Sequence, residues 1–335
     1  MAVLITLTTE QQAWGFVCGQ VAVLEGGLLP RDFFHALAGV ERQDDLLHRL
    51  QDTPLREYVT PGAGWEEWND VIDRHFYQQM REIRANSPVG TLSAMFLLGG
   101  DYLNLKRAVL GRHEFPFEKS LFTEERLHAA ASGDYALLPA ETRQALMRLG
   151  GAAGADPAQV RAQIDLVLDG AYLRHMIQLA DQMAVPLISA YVSDYVLAKG
   201  VALLLRLHAQ GGIQSRQIED LFLPVGEHTH VLRSLVAAGD PKNWASIVPG
   251  PVGDAFRAVL EQPEDQWAAQ FELLAANHLM RYARQGKLQT MGPERVAAYF
   301  VGFRSQAYNF KLVVSGRFNG LDPEVIRRRL RECYV

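Results

Sequence analysis

Acidic and basic side chains recur at nearly fixed spacing in three places along this chain. An aspartate or asparagine lies in an apolar, helical setting, and a lysine follows it 33, 30 or 34 residues later; the pairs are Asp73 and Lys106, Asp169 and Lys199, and Asn277 and Lys311. An arginine follows each lysine by six or seven positions, at Arg112, Arg206 and Arg317. A carboxylate among apolar residues needs a partner, because an unpaired buried charge is very costly. We therefore predict that each aspartate pairs with the lysine or arginine of its own repeat, and that Asn277 makes a neutral hydrogen bond.

The three copies favour a structural role for these polar residues. Catalysis rarely needs three equivalent sites in one chain, whereas a repeated structural unit needs the same internal contact each time. We therefore assign no catalytic residue to the aspartates or the lysines.

Two other pairs of side chains have the spacing of metal ligands. Asp45 with His48, and Glu125 with His128, each place a carboxylate and a histidine one helical turn apart, as in a di-iron bundle. Both pairs lie in strongly charged stretches, and partner glutamates on two further helices are not evident. His228 and His230 are two positions apart, which points them in different directions on a helix. We expect solvated helix faces here and no metal site.

Motifs for nucleotide and nucleophile chemistry are missing from the sequence. It contains no G-x-x-x-x-G-K-[ST] loop and no G-x-S-x-G elbow. The net charge of -5 is unlike that of a nucleic-acid-binding protein, which is normally basic over at least one domain. We predict a protein that is not itself an enzyme, with no cofactor and no nucleic-acid partner.

The C-terminal region carries a cluster of arginines. Asp322 caps a predicted helix that bears Arg327, Arg328 and Arg329, with Arg331 just beyond. One interpretation is that cations complement the helix dipole at the chain end. The other is a basic docking surface for an acidic partner.

Helical patterns dominate the chain, and strand patterns are scarce. Within each repeat, a break separates two long amphipathic stretches; the breaks are 86–90, the region of Pro186, and 286–293. Such spacing predicts antiparallel helix pairs in an all-α protein. The recurrence predicts three similar helical repeat domains, 1–115, 116–210 and 211–335, arranged with pseudo-threefold symmetry around an axis on which a ligand can sit.

The sequence also carries information about location. Cys18 and Cys333 are the only cysteines, which favours a reducing compartment. The segment 1–7 lacks the basic region of a signal peptide, and no apolar run approaches the ~20 residues that span a bilayer. We expect a cytoplasmic protein without direct membrane insertion.

Three ordered segments resemble one known family. They are Asp101–Lys106, Ile164–Tyr172, and Ala298–Phe300 leading to Tyr308–Lys311. Together they resemble the rotor component that is called C in the V-type and A-type ATPases and ATP synthases, and d in the eukaryotic V-ATPase. The resemblance covers almost the whole chain. The chain departs from the family at Gly19 and Gln20, where members usually carry a basic residue, and at Leu197, which precedes Ala198 and Lys199 where the other repeats have Asn-x-Lys.

The resemblance implies a funnel of three helical domains in the rotor of a rotary ATPase. The protein would have no catalytic site of its own. Its partners would be the central shaft subunits and the membrane proteolipid ring, and it would transmit torque between them while lying peripheral to the membrane. Two alternatives stay open: a stand-alone helical adaptor that binds a helical ligand on its axis, and a metal enzyme of the helical-bundle class.

Overall fold

The computed structural model describes residues 12–58, 67–117, 119–147, 149, 157–211 and 215–335, and within these ranges every regular element is a helix. The α-helices are α1 (Gly15–Leu24), α2 (Arg31–Ala38), α3 (Gln43–Gln51), α4 (Trp68–Asn86), α5 (Thr91–Val109), α6 (Glu124–Ala131), α7 (Ala140–Met147) and α8 (Pro157–Met183). They continue as α9 (Pro186–Ala209), α10 (Ser215–Gln217), α11 (Thr229–Ala238), α12 (Gly250–Val259), α13 (Trp267–Lys287), α14 (Pro293–Phe318) and α15 (Pro323–Arg329). The all-α fold class is confirmed. The segment 1–7 lies outside the described residues.

The chain divides into two compact units. The terminal unit combines Met1–Ser93 with Glu272–Val335, and the central unit is Ala94–Phe271. The chain therefore returns at its end to the unit in which it began. The three predicted domains and their pseudo-threefold arrangement stay a prediction.

Predicted breaks between the paired helices fall where proline and glycine stand. α4 ends at Asn86 and α5 begins at Thr91, while α9 and α14 each begin at a proline, Pro186 and Pro293. Proline suits the first helical turn because its missing N–H would have no intrahelical acceptor there. The three breaks are confirmed.

The core of the terminal unit joins its N-terminal and C-terminal helices. Phe34 of α2 packs edge-on against Phe310 of α14, with ring centroids 5.0 Å apart. The buried residues of this cluster are Phe34, Leu37, Ala38, Leu46, Leu50, Leu55, Trp68, Val71, Ile72, Phe310, Val313, Val314, Ile326 and Leu330. Because each large apolar side chain contributes roughly 1.5–3 kcal/mol when fully buried, this cluster holds α14 and α15 against α2, α3 and α4.

Helix α9 of the central unit is long and apolar enough to cross a membrane by length and composition, with a mean hydropathy of 1.4 over an 18-residue window. The expectation that no such run exists was wrong for this helix. Most of that window, 61%, is buried inside the protein. A helix buried on most sides is apolar nearly all round, and this makes α9 weak evidence for a membrane span.

Helix α8 touches a neighbouring backbone through a glycine. A Cβ added at Gly170 would collide with the carbonyl oxygen of Phe222, a backbone atom that cannot rotate away. Gly19, in the exposed face of α1, has no atom within 4 Å of the same position. The two glycines stand inside helices but differ in what surrounds them.

We predict that Gly170→Ala destabilises the protein by about 1–3 kcal/mol, because the added methyl group overpacks this contact. Gly19→Ala is the matched control, and it should stabilise α1 by about 0.5–1 kcal/mol through its higher helix propensity. Urea unfolding measures both. Equal effects of the two substitutions would contradict the close contact at Gly170.

His75 of α4 is a buried titratable group in the terminal unit. Its ring lies between those of Tyr58 and Phe303, at centroid distances of 5.1 and 5.2 Å, and its Nδ1 has no hydrogen-bond partner among the described residues. Burial lowers the pKa of His75 from 6.5 to about 4. The folded protein therefore keeps this histidine neutral at a pH where the unfolded chain protonates it.

We predict that acid weakens the fold through His75. Between pH 6.5 and pH 4 the unfolded state binds a proton that the folded state does not, so the free energy of unfolding falls as the pH falls. At about 1.4 kcal/mol per pKa unit, the loss between pH 7 and pH 4.5 is about 2 kcal/mol. His75→Phe should remove that part of the pH dependence in urea unfolding; parallel pH profiles for the two proteins would refute it.

Candidate functional site

Two of the three repeated lysines form ion pairs with repeated aspartates. Lys106 Nζ lies 2.8 Å from Asp169 Oδ1 and 2.9 Å from Asp165 Oδ1, within the central unit. Lys311 Nζ lies 2.6 Å from both carboxylate oxygens of Asp73, within the terminal unit. All four of the repeated residues in these two pairs are at least half covered by protein.

The prediction that each lysine pairs within its own repeat was wrong. Lys106 of the first repeat bonds to Asp169 of the second, and Lys311 of the third bonds to Asp73 of the first. The reason is that α14 packs along α4 in the terminal unit, which brings the lysine helix of one repeat to the aspartate helix of another. The pairs link successive repeats.

The charge of Lys106 is held by its surroundings. Burial lowers its pKa, but the carboxylates of Asp169 and Asp165 outweigh burial and raise the pKa above the ordinary value. Lys106 therefore stays protonated at neutral pH, and the pair contributes to stability until the pH rises far above 7.

The asparagine two positions before each of these lysines grips an extended segment. Asn104 donates from Nδ2 to the carbonyl oxygen of Phe117 (2.9 Å) and accepts from the N–H of Phe117 (3.2 Å). Asn309 makes the same pair of bonds with Arg331, at 3.0 and 2.9 Å. Sequence reasoning missed this role, although the repetition of Asn-x-Lys was visible; the middle repeat has buried Leu197 at the equivalent position.

Asn277, the third-repeat equivalent of the aspartates, makes the predicted neutral hydrogen bond. Its Oδ1 accepts from the backbone N–H of Glu332 at 2.9 Å. Its partner is thus the C-terminal segment of the terminal unit. No lysine charge is neutralised by this side chain.

A cleft of about 250 Å³ lies in the central unit beside the Lys106 pair. Its lining combines apolar walls with aromatic and charged groups from α5, α8, α9 and the turn after α10: Gly99, Tyr102, Leu103, Lys106, Asp169, Tyr172, Leu173, Tyr195, Lys199, Leu203, Arg206 and Phe222. The hydroxyls of Tyr172 and Tyr195 are 2.9 Å apart, and Lys199 Nζ lies over the Tyr195 ring, 5.6 Å from its centroid. We call this the lysine cleft. Its mixture of apolar wall and cation suits an apolar segment that carries a negative charge.

Residues considered as metal ligands lie apart from the lysine cleft's lining. His128 stacks on His113, with Nδ1 atoms 3.4 Å apart, and Asp45 and His48 line a shallow surface depression with Arg49. Over the described ranges, no three histidine, cysteine or carboxylate side chains gather as a metal-binding group. The Ser193 hydroxyl bonds to both Glu227 and His228, so His228 is part of a local hydrogen-bond network.

The C-terminal arginines divide into two groups. Arg327 donates from Nε to the carbonyl oxygen of His35 at 3.1 Å and pairs with Glu324, which ties α15 to α2. Arg328 and Arg329 are exposed. The first group is structural, and the docking surface predicted for the cluster stays a prediction for the second.

Comparison with known proteins gives a match over most of the chain. The sequence model of one family, described as ATP synthase (C/AC39) subunit, matches residues 17–329. No curated protein matches the chain at the level of similarity required.

We predict that Asp73→Asn destabilises the protein by about 1–3 kcal/mol, because Lys311 loses a charge-assisted bond in a half-covered site. Asp169→Asn should cost less than about 1 kcal/mol, since Asp165 still faces Lys106. Thermal and urea unfolding of the single variants, with Asp165→Asn as the matched control, measure the difference. If neither Asp73→Asn nor Asp169→Asn changes stability, the pairs have no structural role.

Proposed function

The chain belongs to the ATP synthase (C/AC39) subunit family, and from this we propose that it is a non-catalytic central-stalk subunit of a V/A-type rotary ATPase. In this role it links the shaft of the soluble ATP-handling head to the membrane proteolipid ring. It transmits torque between them, so that ATP turnover is coupled to ion translocation. It lies at the cytoplasmic side of the membrane and reaches it through the ring.

The observation that carries the proposal is the family match across residues 17–329. A match that spans both units involves the whole described architecture and not one grafted motif. Family membership supports a place within a rotary ATPase complex, and the central-stalk position and torque transmission are our extension of it.

A part that carries torque must be stiff, and the terminal unit has the contacts for stiffness. Glu25, after α1, bonds to Arg295 of α14 and to the hydroxyl of Tyr334 near the C-terminus. Gly302 allows the Tyr334 side chain to pack directly against α14. Ion pairs, close packing and an anchored chain end resist deformation, as close-packed interiors do.

The buried polar groups also support a structural protein. Asp101 has no exposed surface, and its carboxylate accepts from the backbone N–H groups of Ser120, Leu121 and Phe122 and from the Ser120 hydroxyl. Burial raises the pKa of Asp101 above its ordinary value, against the effect of these hydrogen bonds. A carboxylate with four donors of its own chain is committed to holding a loop.

We propose that the three predicted domains are built across repeats. Each would take the lysine helix of one repeat and the aspartate helix of the next, as Lys311 with Asp73 and Lys106 with Asp169 do. A closed set of three such modules would have the pseudo-threefold symmetry that the family resemblance implies. The proposed boundaries then lie near the starts of α5 and α9 and the start of α14.

We predict that the affinity-tagged chain co-purifies with proteolipid and shaft subunits from gently solubilised membranes. Complexes reconstituted without the chain should hydrolyse ATP without pumping ions, because the head and the ring lose their mechanical link. Mass spectrometry of the purified material and an ion-uptake assay in vesicles measure these outcomes. Recovery of the chain alone would favour the stand-alone adaptor, and transition metal in stoichiometric amount would favour the metal enzyme.

A further inference from the structure

The middle repeat breaks the pairing rule that the other lysines follow. Lys106 and Lys311 each face the aspartate of the next repeat. By that order the counterpart of Lys199 is position 277, where the chain has the uncharged Asn277, engaged with the backbone of Glu332. Lys199 is therefore the one repeated lysine whose counterpart in the sequence carries no charge.

Lys199 is exposed, in contrast to the half-covered lysines of the other repeats. Within the part of the chain that the structure describes, its recorded contact is with the ring of Tyr195, and no carboxylate lies within ion-pair distance of its Nζ. The ring face holds the ammonium group at the edge of the lysine cleft. A cation placed in this way is available to a ligand.

The lysine cleft has an excess of positive charge and an apolar wall. Three cationic side chains and one carboxylate are among its lining residues, and the Asp169 carboxylate is already bonded to Lys106. Leu103 in the lining is 45% exposed, which is unusual for a leucine with an apolar cleft beside it. The complementary surface is apolar and carries a carboxylate.

We propose that an acidic side chain of a partner protein in the complex, flanked by apolar residues, enters the lysine cleft and forms an ion pair with Lys199. The partner supplies the carboxylate that the third repeat lacks at position 277. This inference rests on the proposed function, because it places the contact within the assembled complex. It also gives the middle repeat a role different from the other two, which complete their ion pairs within the chain.

A zero-length carbodiimide cross-linker tests the proposal on the purified complex, because it joins an amine to a carboxylate only when the two are in contact. The expected result, read by peptide mass spectrometry, is an amide between Lys199 and an aspartate or glutamate of another polypeptide. Lys242, which lies 3.9 Å from Glu264 of its own chain, provides the internal control for the reagent. If the Lys242–Glu264 link forms while Lys199 stays unlinked or links only within its own chain, the proposal is wrong.

Substitutions give an independent readout. Lys199→Gln should weaken rebinding of the chain to complexes stripped of it by roughly tenfold, while Lys199→Arg keeps most of the affinity. The matched control Lys242→Gln should rebind like the unaltered protein. Undiminished rebinding of Lys199→Gln would overturn the proposal.

Stability of the isolated chain separates the contact from a folding effect. Lys199→Gln should leave the melting temperature unchanged, whereas Lys106→Gln should lower it. A lowered melting temperature for Lys199→Gln would mean that its role is internal, against the proposal. If the unaltered chain does not join the complex at all, the proposed function fails first; a complex that assembles without the Lys199 link removes only this inference.

Discussion

Ion pairs between the lysine helix of one repeat and the aspartate helix of the next are the contacts on which this architecture depends. Each lies at least half out of water, where a lysine without its carboxylate would be costly. The pair of Lys311 with Asp73 joins residues 238 positions apart and so ties the end of the chain to its beginning. A chain fastened in this way has few free ends at which force would be lost.

The asparagines of the same motif extend this principle to the backbone. Asn104 and Asn309 each satisfy both the N–H and the carbonyl of one residue in an extended segment. Extended backbone beside helices needs such partners, because it has no neighbour in a sheet to bond with. One short motif therefore supplies both an ion pair and a backbone anchor, and where the middle repeat has Leu197 in place of the asparagine it also has an exposed lysine.

Much of the fold could be predicted from the sequence because its signals are local. Helix starts at Pro186 and Pro293 follow from the fixed backbone of proline, and the absence of alternating patterns predicted an all-helical chain. The identity of each ion-pair partner could not be predicted in this way. Asp73 is 33 residues from Lys106 but bonds to Lys311, and the choice depends on which helices pack together, a property of the whole unit. Similarly, the repeated asparagines were visible, but the segments that they grip carry no pattern of their own.

A double-mutant cycle tests the cross-repeat pairing most directly. Asp73→Asn and Lys311→Gln, measured singly and together by urea unfolding, should show a coupling energy of about 1–2 kcal/mol, because the two side chains share one interaction. The same cycle with Asp73→Asn and Lys106→Gln should be additive within about 0.5 kcal/mol. Coupling of Asp73 to Lys106, or its absence from the Lys311 cycle, would contradict the account.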